Sequence, residues 1–315
     1  MFFSVSPVSF GVMAEIIEDK NKVYNELKKE HEGLIHISFS EFSKFVGCGH
    51  KHLLEKYLKL TEEPPSIHLI FGNAIHGALE TGIKNKLPQE DRIEHFRYNF
   101  VKEMNDNMRD SSDFDKLDEF RAQGENIIKI LSLEKLVEKY EVISVEEPLY
   151  EKLFALFRFK GFIDLILRNK ETGRYLVIDW KTSTQPWDVS KKKKDEVFMA
   201  QMRLYKYFFA RKFSVPMELI DCKYIVLNRL KSKKLPELGF GSLQPVEIYS
   251  NLEDIEKSII KVAETVKSIH LDKKFTKIKL TGSKSGCFFC AHKNNPTLCS
   301  NDPDQYLSLL KEHGK

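Results

Sequence analysis

The sequence predicts an α/β fold: a mixed central β-sheet flanked by helices, with a helical N-terminal region and a cysteine-bearing C-terminal tail. Three observations predict it. Between residues 142 and 182 the pattern changes to short runs of β-branched and aromatic residues, which read as strands. Helix-period segments stand on both sides of that run. A further strand pattern, LIDCKYIVLNRL, lies between two of the helical segments, so strands and helices alternate as they do when helices cover a sheet.

Residues 14–32 are charged and read as helix, and Met13 just before them is a plausible start of translation. HISFSEFSKFVGCGHKHLLEKYLKL carries helical spacing behind a capping serine at Ser40. TEEPPS is a loop, and IHLIFGNAIHGALETGIKNKL a helix starting near Phe71. Residues 88–140 are charged and helical. After the strands, DEVFMAQMRLYKYFFARKF reads as a helix and LEDIEKSIIKVAETVKSIHL as an amphipathic one. The tail is loop with a terminal helix. The expected organisation is an extension over 1–36 and a single domain over 37–315, with a helical insertion at about 82–140 and a cysteine cluster at 287–299.

A chain of 315 residues buries a large core, and 42% hydrophobic with 30% charged residues is ordinary for a soluble protein. No run of eighteen apolar residues occurs, so no transmembrane helix is expected. The start, MFFSVSPVSFGVM, lacks the basic leader and cleavage site of a signal peptide. A cytoplasmic protein, cellular or phage-encoded, is the expectation. Net charge is only +4, but lysines gather at 191–194, 229–234 and 273–284. Each group alone reads as a solvated loop; together they suit phosphate contacts.

The most informative stretch is GFIDLILRNKETGRYLVIDWKTST, residues 161–184. With KETG as a four-residue turn, Asn169 faces Arg174 and Asp164 falls opposite Asp179. Residues two apart share a sheet face, so Lys181 joins both acids. Like charges placed opposite each other destabilise a sheet, and a bound cation relieves them. Magnesium or manganese prefers such oxygen donors, polarises a phosphodiester oxygen and lowers the pKa of a bound water. Lys181 is then placed to orient that water or to stabilise charge on phosphate. The bland alternative is a surface hairpin in which Lys181 simply neutralises two acids.

Gly161-Phe-Ile-Asp164 followed by Asp179-Trp-Lys181-Thr182 resembles the PD-(D/E)XK nuclease superfamily. Within it the chain is similar to the RecB-like exonuclease branch, which includes the CRISPR-associated iron–sulfur adaptation nucleases. It departs from the older motif by placing Trp180 between acid and lysine. Three more matches follow the same order, and the resemblance spans roughly 38–300. Phe71-Gly-Asn-Ala-Ile-His76 resembles the branch's first motif and implies His76 as a metal ligand beside Asp164 and Asp179. Four residues on, Glu80 shares its helix face. Glu147 resembles the acid of the preceding strand, although Glu146 is an equal candidate by composition. Gln201 and Tyr205 resemble a Gln-x-x-x-Tyr motif that implies placement of the DNA backbone and the active-site lysine. The resemblance implies a restriction-endonuclease-like core and a Mg²⁺- or Mn²⁺-dependent DNA nuclease, an exonuclease on single-stranded or end-containing DNA. It also implies a helicase or recombination or adaptation partner, and allows an oligomer. The rivals are a catalytically silent DNA-binding module on the same fold and an unrelated iron–sulfur redox protein.

Five cysteines in so long a chain do not make a disulfide framework. Three of them, Cys287, Cys290 and Cys299, crowd into thirteen residues and point to a metal. The resemblance implies Cys48 as the fourth ligand of a 4Fe–4S cluster that staples the tail to the first helices. Zinc is the alternative, with His50, His52 and His292 nearby in sequence. Cys222, in an apolar strand, reads as core.

Overall fold

The computed structural model describes residues 35–60, 65–107, 115–154, 157–230, 242–277, 287, 290–300, 302 and 304–314. The helix expected at 14–32 and parts of the second and third lysine groups lie outside these residues. The strands are β1 (Ile35–Ser38), β2 (Tyr140–Phe154), β3 (Phe157–Asn169), β4 (Tyr175–Ser183), β5 (Ile220–Asn228) and β6 (Leu243–Ile248). They form one sheet in the order β1-β3-β4-β5-β6, with β2 also paired to β3. Pairing is parallel for β1/β3 and β4/β5 and antiparallel for β3/β4 and β5/β6, the mixed sheet that the sequence predicts.

The chain divides into two compact units, one drawn from Met1–Glu62, Tyr150–Gly161 and Leu252–Lys315, the other from Glu63–Leu149 and Phe162–Asn251. In the second unit four helices come first: α3 (Ile67–Lys84), α4 (Gln89–Asn107), α5 (Leu117–Ile130) and α6 (Leu133–Lys139). The last three correspond to the charged helical stretch read at 88–140 from sequence. Leu165, Leu167, Ile178 and Trp180 of the sheet share a buried cluster with Phe71, Phe96, Phe100 and Phe120 of α3, α4 and α5. Each such side chain contributes roughly 1.5–3 kcal/mol on burial. Alternate residues face the other way. There Cys222 Sγ donates to the Met202 carbonyl at 3.8 Å and Tyr224 OH to the Phe198 carbonyl at 2.9 Å, both on α8 (Glu196–Phe213). Cys222 is buried as expected, and burial pushes its thiol up to about 12. Between β4 and α8 lies a short helix, α7 (Val189–Lys192).

Close packing also fixes a glycine. A Cβ on Gly124 of α5 would lie 2.1 Å from Cζ of Phe96, a fully buried ring. Gly124→Ala is therefore expected to destabilise the protein by about 1–3 kcal/mol, the usual cost of overpacking. A urea melt checks it, and an unchanged midpoint would show that the ring can step aside.

The first unit holds β1, α1 (Phe39–Gly47), α2 (Gly49–His52), the π-turn Leu53–Tyr57, α9 (Leu252–Val266) and α10 (Gln305–Glu312). Phe275, fully buried, stacks on His52 at 6.1 Å and packs against Tyr57 at 5.0 Å. Two helix starts differ from the sequence reading. Ser38, not Ser40, caps α1, accepting from Glu41 N at 3.2 Å; Ser38 and Glu41 have capping-box spacing. Helix α3 begins four residues before Phe71, at Ile67, because Ser66 at the end of the supposed loop accepts from Leu69 N.

Candidate active site

The hairpin register is the one read from the turn. Asn169 N donates to the Arg174 carbonyl at 2.8 Å, and Leu165 pairs with Ile178 and Ile166 with Val177. Asp164 and Asp179 are the next facing positions. There a side chain replaces the ladder: Trp180 N donates to Asp164 Oδ2 at 2.7 Å. Gly72 lets α3 come close to this strand end, since a Cβ there would already lie 3.2 Å from Thr182 Oγ1.

His76, Glu146 and Asp164 each present a ligand atom within 4.8 Å of the others, the one such group among the described residues. Helix α3 supplies His76, whose Nδ1 is 3.5 Å from Asp164 Oδ2. Strand β2 supplies Glu146, whose φ is +54°, a left-handed conformation that interrupts strand alternation. Its neighbour Glu147 is placed elsewhere: it accepts from Lys212 Nζ at 2.6 Å and from Ser144 Oγ at 2.5 Å. Of the two acids weighed from sequence, Glu146 is the one brought to His76 and Asp164. Glu80, one turn along α3, accepts from Lys84 at 2.6 Å.

Asp179, only 2% exposed, lies in a second, adjoining network. Its Oδ1 accepts from Gln201 Nε2 at 3.0 Å, and Lys181 Nζ is 2.6 Å from its Oδ2. That ion pair lacks hydrogen-bond alignment, so Oδ2 is buried with no aligned donor. Gln201 Nε2 also reaches Tyr205 OH at 3.2 Å. The amide is oriented from behind by Tyr224, whose OH lies 3.3 Å from Gln201 Oε1. Sequence reading missed Tyr224; the parallel register that pairs it with Asp179 was the signal.

Electrostatics agree with a cation site. Burial, and then the charge of Asp179, raises the Asp164 carboxyl well above its ordinary range. Burial followed by the charge of Glu80 raises Glu146. Burial lowers the His76 imidazole to about 4, which keeps it neutral and available as a ligand at ordinary pH. Burial also raises the Tyr205 phenol, so it remains a neutral donor. One imidazole, carboxylates that repel one another and an unaligned buried oxygen fit a hard or borderline divalent ion such as Mg²⁺ or Mn²⁺.

The four expected cluster ligands lie in the first unit. Cys48 caps α2 with its Sγ 3.4 Å from Lys51 N. Burial, opposed by the charge of Lys277 and reinforced by Cys290, Cys48 and Cys287, raises the Cys299 thiol. Among the described residues no three thiols come within 4.8 Å of one another. The tail is tied to the first helices by His50 Nε2, 2.6 Å from the Leu298 carbonyl, and by His292 Nε2, 3.1 Å from Glu55 Oε1. In the first lysine group, Lys192 lies over the Trp187 ring at 4.9 Å and Lys193 over Tyr249 at 5.7 Å. No helix among the described residues is long and apolar enough to cross a membrane.

No curated protein matches the chain. Among solved structures, the crystal structure of SSO0001 is similar over 83% of this chain and 86% of its own, at 13% identity and a TM-score of 0.30, a likeness too small to bear on function. The family comparison is decisive: the PD-(D/E)XK nuclease superfamily matches residues 36–295, the stretch that contains His76, Glu146 and the acid hairpin. The chain belongs to the PD-(D/E)XK nuclease superfamily, whose ordinary chemistry is phosphodiester hydrolysis.

Proposed function

We propose that the chain is a Mg²⁺- or Mn²⁺-dependent deoxyribonuclease of the RecB-like exonuclease branch, acting on single-stranded or end-containing DNA. The observation that carries the reading is the convergence of His76, Glu146 and Asp164 beside the Asp179–Lys181 pair. Those three residues and Asp179 hold the ion. When bound, the ion supplies Lewis acidity toward a phosphoryl oxygen and a more acidic water. Lys181 brings a positive charge to the negative charge that grows on phosphate. Gln201, held by Tyr224 and Tyr205, fixes the aim of Asp179. Cys48, Cys287, Cys290 and Cys299 hold a 4Fe–4S cluster with a structural role. Iron and acid-labile sulfide measured after anaerobic purification test that part.

The main test is cleavage of end-labelled single- and double-stranded DNA in Mg²⁺, Mn²⁺ or EDTA. Metal-dependent release of labelled ends supports the reading; binding without cleavage under every condition favours a silent DNA-binding module. A paired comparison tests the ligand set. Glu146→Gln is expected to slow cleavage by roughly 10²-fold, as loss of a group that shapes a metal site does. Glu147→Gln loses its Lys212 ion pair and keeps cleavage within a few-fold. Equal effects would remove Glu146 from the site.

Metal binding also has a predicted pH dependence. His76, at about 4, has already lost its proton at neutral pH. Asp164, raised by burial and by Asp179, gives up its proton later. Affinity for Mn²⁺ should therefore rise as pH climbs through the Asp164 titration, above the ordinary carboxylate range, and binding should release a proton. Calorimetry in buffers of different ionisation enthalpy reads that proton. The same heat in every buffer would contradict the assignment.

A further inference from the structure

Arg229, just past β5, is 4% exposed, yet no carboxylate among the described residues pairs with it. Its guanidinium lies over the Phe120 ring at 4.1 Å. Nη1 donates to Gln123 Oε1 at 2.9 Å, and Nη2 donates to His68 Nδ1 at 3.1 Å and to Thr184 Oγ1 at 2.5 Å. All three acceptors are neutral. Glu119, whose charge acts on Arg229, is one step removed, accepting from Gln123 Nε2 at 2.7 Å. A buried cation normally sits against an anion.

The placement is informative. The Nη2 edge ends at His68 and Thr184, both exposed. His68 lies in the first turn of α3, where the helix dipole favours an anion. His68, Gly72 and His76 stand four residues apart on one face of α3. Thr182 continues β4 beyond Lys181, and Thr184 follows one residue past the end of the strand. Helix and strand thus run side by side from the acid group toward Arg229, with Gly72 against Thr182 between them. Eight residues of helix cover about 12 Å. A nucleic-acid strand, with one phosphate per ~3.4 Å of stacked axis, spans that distance in three or four nucleotides, and in fewer when extended.

We propose that Arg229, with Thr184 and His68 at its rim, is a phosphate subsite for the substrate strand, a few nucleotides from the scissile bond. The subsite rests on the nuclease reading above. It supplies the missing anion from the ligand: a phosphodiester oxygen displaces the Thr184 hydroxyl and takes a charge-assisted hydrogen bond from Nη2. The planar fork suits phosphate better than an ammonium does.

The test is binding of fluorescent single-stranded oligonucleotides in EDTA, where cleavage is off, at several salt concentrations. Thr184→Glu is the decisive variant, because a carboxylate there fills the subsite from within. It is expected to weaken binding about tenfold and to reduce the salt slope by about 0.7, the value for one lost single-strand phosphate contact. Its melting temperature should hold or rise, since the buried cation gains a partner, and its Mn²⁺ affinity should not change. Inorganic phosphate should raise the melting temperature of wild type and not of Thr184→Glu. Arg229→Met is expected to lose the same binding with some loss of stability; should it fail to fold, Thr184→Glu still decides. Wild-type affinity and slope in Thr184→Glu overturn the subsite and leave the nuclease reading intact. A wild type that neither binds nor cleaves DNA overturns both.

Discussion

Asp164→Asn is expected to remove cleavage while making the metal-free protein more stable. The substitution keeps an oxygen to accept from Trp180 N, so the hairpin end is preserved. It removes a carboxylate whose ionisation is opposed by burial and by Asp179. The sign follows from proton counting. An acid with a raised folded pKa binds more protons folded than unfolded, so its contribution is full below the unfolded value and falls as pH rises through the folded one. At neutral pH the asparagine variant escapes that loss, and a higher melting temperature in EDTA is expected. Cleavage should fall by at least about 10³-fold, the size of losing a preorganised charge. Added Mn²⁺ should raise the melting temperature of wild type more than that of the variant. A variant that melts lower than wild type in EDTA and still cleaves would show Asp164 to be structural.

Lys181→Met separates the second role. The ammonium lies 2.6 Å from Asp179 Oδ2 and 5.7 Å from the Tyr224 ring centre, with its side chain about one-third exposed. Removing the charge should lower kcat by about 10²–10³-fold, because it acts on charge that develops at phosphate. Metal affinity should hold or rise, since Asp179 loses a competing cation. Manganese titration followed by magnetic resonance gives the affinity, and single-turnover cleavage the rate. Should affinity and rate fall together, Lys181 shapes the site and does not act on phosphate.

How much of this was legible in the sequence depended on whether the signal was local. The Asp164–Asp179 register followed from a single turn, because a four-residue connection fixes every pair behind it. The choice between Glu146 and Glu147 was not legible. Strand alternation assigns opposite faces to the two, but which one turns inward depends on the positive φ at Glu146, and glutamate gives no composition signal for that. Strand β1 has four residues and was read as the approach to a helix; β6 carries Pro245, which a sheet accepts only at an edge. Neither has enough alternating length to stand out. Arg229 looked like one more member of a basic group. Its burial depends on Phe120 and Gln123, roughly a hundred residues earlier in the chain.

The contact between Lys181 and Asp179 has a consequence for timing. An acid-lined site empty of cations would spread apart, and each loading with metal would have to rebuild it. Here a tethered ammonium keeps the seat warm. On the metal reading proposed above, loading becomes an exchange of one positive charge for another, gated by the swing of a lysine stem, a side-chain motion of the picosecond-to-nanosecond class when exposed. On that reading the protein is expected to keep its shape in metal-poor surroundings and to start work as soon as the ion arrives.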